Sequence, residues 1–211
     1  MYSYADKSWA EIFKNEIDNI TSTEVKLLLT AMFEKVQDKH KTAPASSTGK
    51  YHPACSLGDG GLVRHTKFVV QNVIELVRAT PEVENEKDIL IAAAILHDLC
   101  KYPNGDADKY TSLKHPSIMA RMITDTCPSS ETAKTIARLV ACHQGRPEWN
   151  VDRDTKEVVN PSPKLQDEYV LHYADYFASR PYLCPNFDEE TGNMILESCN
   201  NRSTIVQECR S

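Results

Sequence analysis

Glycine is scarce in this chain, with 7 among 211 residues. So thin a supply argues against an all-β fold, which needs a tight turn every few residues. Long apolar runs are missing as well. The longest, Ile89 to Leu96, is far short of the roughly 20 residues that a membrane-spanning helix needs. Positive charge is not in excess: Lys and Arg number 24 against 30 Asp and Glu, for a net charge of −6. Proteins that grip nucleic acid by neutralising many phosphates are usually basic, at least on one face. Long nucleic acid is therefore not the expected partner, whereas a small anionic substrate needs only a few local cations. No Cys-x-x-Cys occurs among the seven scattered cysteines, and their number is odd. The opening residues, MYSYADKSWAEIFKN, are too polar for the core of a signal peptide. The expectation is a cytoplasmic protein in a reducing compartment with no membrane association.

What is present reads as helix. Hydrophobic residues make up 41%, enough for a globular core. Ser8 and Glu11 form a capping-box signature, followed by an apolar stripe of Trp9, Ile12, Phe13, Ile17 and Ile20. Thr21 and Glu24 repeat that signature for a second helix reaching about residue 40. A long loop, TAPASSTGKYHPACSLGDGG, comes next, and loops of such length in compact domains are usually functional or disordered. Further helices are predicted over about 62–78, 86–100, 116–125, 130–143 and 165–179. The segment ILIAAAIL is apolar all round, which predicts a helix buried on every side. Pro103 and Asn104-Gly105 predict a turn, and residues 146–163 read as loop. No strong strand signal appears. The expected organisation is an all-α chain of about seven helices: a helical pair over 1–41, a main domain over 42–182, and a tail over 183–211 with one short helix near 194–199.

The informative pattern is where His and Asp fall. His65 shares a helix face with Leu62, Val69 and Asn72; His115 with Ile118, Met119 and Met122; His143 with Ile136 and Leu139; Asp175 with Leu171 and Ala178. His97 and Asp98 end the most apolar helix. Each residue alone has an ordinary explanation. His65 could be a hydrogen-bonded core histidine, His143 could complement a helix dipole, and Asp175 could be an ion-pair partner. Together they place metal-competent side chains from at least four helices toward one core, where an isolated charge is heavily penalised. Helical bundles build metal sites in this way. A His/Asp set without thiolate suits Mn, Fe, Co, Ni or Zn, as one or two ions.

The order His65, His97-Asp98, His115, His143, Asp175 resembles the HD-domain phosphohydrolases. The segment ILHDLCK looks like their signature. More narrowly, TAPAS, YHP, GGLVRHT, ILHDLCKY, LKHPSIM, CHQG and LHYADYF are similar to the HD domain of bacterial 3′–5′ exoribonucleases that carry an OB-fold module before it. The resemblance covers roughly residues 42–180 and implies a helical bundle around a buried metal site. It implies that His65, His97, Asp98 and Asp175 hold one metal, that Asp98 bridges, and that His115 and His143 hold a second. Lys101 matches the family lysine that contacts phosphate or positions the nucleophile, and His52 matches a loop histidine near the substrate. Cys100 stands where the family usually has Gly, Gln144 stands where the subgroup often has a second His, and residues 1–41 read as helices rather than an OB module.

The expected function is hydrolysis of a phosphoester of a nucleotide or short oligonucleotide by a metal-activated water. Asp98, Lys101 and His52 are the candidate catalytic residues, with His52 as donor to the leaving group; Lys101, Arg146 and Lys114 are the candidate substrate-binding cations. Trp149, Tyr51, Tyr102, Tyr173 and Phe177 are candidate base-stacking residues or ordinary core. Two alternatives stand beside this: a catalytically weak nucleotide-binding or regulatory module, and a structural helical protein with buried histidines. A homo-oligomer is compatible with either.

Overall fold

Ser8 starts the first helix in the computed structural model, which describes residues 2–103 and 110–196. Its hydroxyl accepts from Glu11 N at 3.2 Å, and the Glu11 carboxylate accepts from Ser8 N at 2.8 Å. The helix breaks at Phe13, giving α1 (Trp9–Ile12) and α2 (Lys14–Ile17) where the sequence predicted one element. The bend keeps Trp9 and Phe13 buried in a trio of rings with Phe33, at mutual distances of 6.0, 6.3 and 6.5 Å.

The next helix, α3 (Thr23–Phe33), is capped by Ser22 rather than Thr21. Thr21 is occupied elsewhere: its N–H and hydroxyl both donate to Asp88. The predicted continuation to residue 40 also fails. The chain leaves the helix at Phe33 and re-forms a 3-10 turn at Asp38–Lys41. That change of direction brings His40 against Tyr102, whose N–H donates to His40 Nε2 at 3.3 Å.

One side chain gathers the second half of the long loop. Arg64 is buried, and its guanidinium donates to the carbonyls of Cys55, Leu57 and Asp59 at 2.5, 3.1 and 2.8 Å. Gly61 is required where the loop meets the helix, because a Cβ there would lie 2.3 Å from Ser56 O.

The remaining helices are α4 (Gly61–Ala79), α5 (Lys87–Leu96), α6 (His115–Thr126), α7 (Glu131–Cys142) and α8 (Gln166–Ala178). With α1–α3 they make eight α-helices among the described residues. Every residue of α5 from Leu90 to Leu96 is buried, as the all-apolar segment predicted. α4 packs on α5 and α8, and α6 on α7. Trp9, Phe13, Leu29 and Met32 belong to the same hydrophobic core as α4–α8. No sheet forms among the described residues, only isolated antiparallel bridges at Val151–Val158 and Phe187–Met194. The second bridge takes Met194, where a short helix was expected; residues 197–199 of that expected helix lie outside the described residues, as does the Asn104-Gly105 turn. Among the described residues no helix is long and apolar enough to cross a membrane.

Candidate metal centre

Five buried side chains and one partly exposed one meet where α4, α6, α8 and the C-terminal ends of α5 and α7 converge. His65, His97, Asp98, His115 and His143 are each at most 1% exposed. The Asp175 side chain is 21% exposed and is the one member of the set open to solvent. His97 and Asp98 do not lie within a helix as predicted. They occupy the turn that follows α5, with His97 as its C-terminal cap.

Asp98 is the centre of the set. Its Oδ1 lies 2.8 Å from His115 Nε2 and 3.6 Å from His143 Nε2. Its Oδ2 lies 3.4 Å from His97 Nε2, 3.8 Å from His65 Nε2 and 2.5 Å from Lys101 Nζ. Asp175 closes the other side, with Oδ1 3.0 Å from His65 Nε2 and 3.8 Å from His97 Nε2. Three overlapping trios have donor atoms near enough to share an ion: His65, His97 and Asp98; His97, His143 and Asp175; Asp98, His115 and His143.

The outer nitrogens explain how these rings are aimed. His97 Nδ1 donates to Ala94 O at 2.7 Å, His115 Nδ1 to Ser112 O at 2.6 Å, and His143 Nδ1 to Val140 O at 2.7 Å. Ala94 and Val140 lie in the last turns of α5 and α7, where carbonyls lack helical partners. A ring that donates from Nδ1 turns a bare lone pair on Nε2 toward the centre. His115 Nε2 then faces Asp98 Oδ1 at 2.8 Å, acceptor against acceptor, and faces His143 Nε2 at 3.3 Å in the same way. Asp98 Oδ1 and His97 Nε2 are buried without a hydrogen-bond partner.

The electrostatics agree. Burial pushes the Asp98 carboxyl up, but Lys101, His97 and His115 outweigh it and hold the group well below the usual carboxylate range. Burial likewise works against ionised Asp175, and its hydrogen bond with His65 more than compensates. Burial lowers both His65 and His115, which favours their neutral forms, whereas burial of His97 is outweighed by Asp98 and then Asp175, which raise it. Buried lone pairs converging on two ionised carboxylates fit a divalent cation. The donor set matches the His/Asp chemistry of Mn, Fe, Co, Ni or Zn.

The other expected site residues fall around this cluster. Lys101 is in it, on Asp98. His52 packs edge-on against His65 with ring centroids 5.0 Å apart. Burial, then His65 and Lys101, push His52 down to about 3, which favours the neutral imidazole beside the cluster. Lys114 is exposed and its ammonium lies 3.9 Å from Asp152. Arg146 lies over the Trp149 ring at 5.9 Å, in a neighbouring cleft. Tyr102, a stacking candidate, is buried instead and donates to Pro44 O at 3.1 Å.

Three supporting residues escaped the sequence reading. Cys100, where the signature usually has Gly, donates its thiol to His115 O at 3.1 Å and steadies that ligand. His172 Nδ1 bonds His143 O at 2.8 Å, and its spacing of three before Asp175 on α8 was the available signal. Asn160 is buried with Nδ2 near Leu113 O, Gln144 Oε1 and Asn150 Oδ1 at 2.8, 3.1 and 2.9 Å. It ties together the loops that carry His115 and His143, and it explains Gln144: that side chain braces a loop.

Comparison with known proteins agrees with this geometry. The model of the HD domain family matches residues 62–180, more than half of the chain and every residue of the cluster. The 3′–5′ exoribonuclease YhaM of Bacillus licheniformis is 25% identical over 137 residues, covering 59% of this chain and 41% of that relative. The chain thus spans less than half of the relative's length. No solved structure matches significantly. The two matches support a metal-dependent phosphohydrolase in general. With the His97-Asp98 pair at the middle of the cluster, the chain belongs to the HD domain family.

Proposed function

We propose that the chain hydrolyses a phosphoester of a nucleotide or short oligonucleotide at the Asp98 cluster, using a water activated by one or two divalent transition-metal ions. The observation that carries this reading is the set of imidazole lone pairs aimed at ionised, buried carboxylates with too few protons among them. His65, His97, Asp98 and Asp175 would hold one ion and His115 and His143 a second, with Asp98 between them. Such ions supply an acidified water and polarise phosphoryl oxygens.

The chain's own residues do the rest. Asp98 and Asp175 stay ionised and supply negative charge. Ala94 O, Ser112 O and Val140 O fix three imidazole orientations. Lys101, 11% exposed at its side chain, sits between the cluster and solvent and offers an ammonium to a phosphate oxygen. Arg146 adds a second cation from the adjoining cleft, and Lys114 a third at the rim. His52, half-buried, packs edge-on against His65 and covers that side of the cluster. A nucleotide or short oligonucleotide is favoured over long nucleic acid because the chain's net charge is −6.

The test is elemental analysis of protein purified without chelator, followed by phosphate and nucleotide release across nucleotides and short oligonucleotides with Mn²⁺, Co²⁺ or Ni²⁺. We expect stoichiometric transition metal and turnover, and Asp98→Ala to lower both, turnover by at least about 1,000-fold on the scale of losing a catalytic electrostatic group. A metal-free wild type that cleaves no phosphoester would defeat the proposal; if it still bound nucleotide tightly, the regulatory-module reading would take its place.

A further inference from the structure

The helix that carries Asp175 turns a different chemistry outward. Tyr169, Tyr173 and Phe177 recur every four residues on α8 and are 41%, 46% and 40% exposed. Their rings stack in series, with centroids 5.8 and 6.3 Å apart and planes 26° and 27° apart. Beside them Trp149, 48% exposed, lies almost parallel to Tyr176 at 6.1 Å and 5°. Aromatic rings of this size are normally buried, and a row of them left open marks an interaction surface.

Two features point to the occupant. A guanidinium flanks each end of the Trp149–Tyr176 pair: Arg180 lies 4.0 Å from the Tyr176 ring centre and Arg146 5.9 Å from that of Trp149. Each cation is held against a π face; Arg180 donates from Nε to Tyr176 O and from Nη2 to Ser179 Oγ, which fixes its plane and leaves Nη1 to meet a phosphate. The cleft also abuts the ligand cluster, through His172 rather than through a ligand. Its volume is about 570 Å³, and it is lined by Gly145, Trp149, His172, Tyr173 and Tyr176 among others. Its floor is the His172 ring bonded to His143 O, and it reaches that depth because residue 145 has no side chain: a Cβ there would lie 2.2 Å from His172 Cε1. Tyr176 adjoins Asp175, the one ligand open to solvent.

We infer that this aromatic face is a base-stacking platform for single-stranded nucleic acid, with Arg146 and Arg180 receiving backbone phosphates. Alternating π faces and cations suit such a strand, because every base has a face to stack and each stacked base contributes about 1–3 kcal/mol. The stripe from Tyr169 to Phe177 runs about 12 Å at the helical rise, longer than one base needs, so an oligonucleotide fits it better than a mononucleotide. Delivery of a strand's phosphate to the cluster rests on the proposed hydrolase reading; binding to the platform does not.

The test is intrinsic fluorescence with chelator present, so that turnover does not enter. Of the two tryptophans, Trp9 is buried, and emission changes on binding report Trp149. A short single-stranded oligoadenylate is expected to quench that emission saturably, and adenosine monophosphate to bind at least tenfold more weakly. Tyr173→Ala should weaken the oligonucleotide by at least about fivefold, the loss of one stacking partner, while Tyr173→Phe keeps the affinity. Absence of quenching, or equal affinity in Tyr173→Ala, overturns the platform. So does sedimentation showing self-association that Tyr173→Ala abolishes with no oligonucleotide bound, which makes the face a contact between copies. Oligonucleotide binding by a protein that, purified without chelator, holds no metal and cleaves no phosphoester would sink the hydrolase reading alone; cleavage of small phosphoesters without oligonucleotide binding would sink the platform alone.

Discussion

Lys101 and Cys100 show how single side chains tune the cluster. The Lys101 ammonium balances an Asp98 carboxylate that four imidazoles also approach, yet it lies outside the imidazole set that would keep the ions. Replacing it with Met should therefore separate two quantities. Turnover is expected to fall about 100-fold, the scale for removing a preorganised charge at a phosphoryl group, while elemental analysis still finds the metal. An unchanged rate would remove Lys101 from the chemistry. Cys100 is held by burial, with the nearby Asp98 charge adding to it, at about 12; it stays a thiol and serves as a donor to His115 O.

At the scale of elements, Asp88 joins two helices that are distant in sequence. Its Oδ2 accepts from Ser22 N, Thr21 N and Thr21 Oγ1 at 2.7, 2.9 and 2.8 Å, pinning the start of α3 to the start of α5. Burial is the largest single influence on this carboxyl and raises it, but the bonds from Ser22 and Thr21 together outweigh it and leave the group below its ordinary value of 3.8. A depressed folded value means that its stabilisation is present above 3.8 and is lost as pH falls through the folded value. Asp88→Asn is expected to cost about 1 kcal/mol at neutral pH, the scale of losing a cap, and urea midpoints of wild type and variant should converge in acid. Parallel midpoints at all pH values would show that the charge of Asp88 contributes nothing. The same contact explains a sequence misreading: Thr21 looked like a cap because its partner, 67 residues away, has no local signature. Periodic patterns placed α4 to α8 within a few residues because apolar spacing records burial directly. The end of α3 was not legible, since only the meeting of His40 with Tyr102 sets it. Side chains of the cluster were readable as a pattern of types, whereas the backbone carbonyls that aim them are invisible in a sequence, as was the bracing by His172 and Asn160.

For the molecule as a whole, a cation site made from three helices and two helix-end turns couples ion binding to folding. Ions held by the native state alone stabilise it by about 2.7 kcal/mol at 100 times Kd, which for a chain of this size raises Tm by about 5–10 °C. Scanning calorimetry with Mn²⁺ or Zn²⁺ against chelator should show that rise in wild type and none in Asp98→Ala; a Tm indifferent to ions in wild type would mean that no cation is held. The bonds from His97 to Ala94 O and from His143 to Val140 O add a cost that no ion repays. Each ring finishes a helix as well as facing the cavity, so an exchange to Ala removes a side-chain bond from a carbonyl at the end of α5 or α7 even in metal-free protein. Disarming the centre by that route would also loosen the scaffold, whereas an exchange at Asp175, whose helix ends on its own backbone bonds, would silence the site and leave the frame standing.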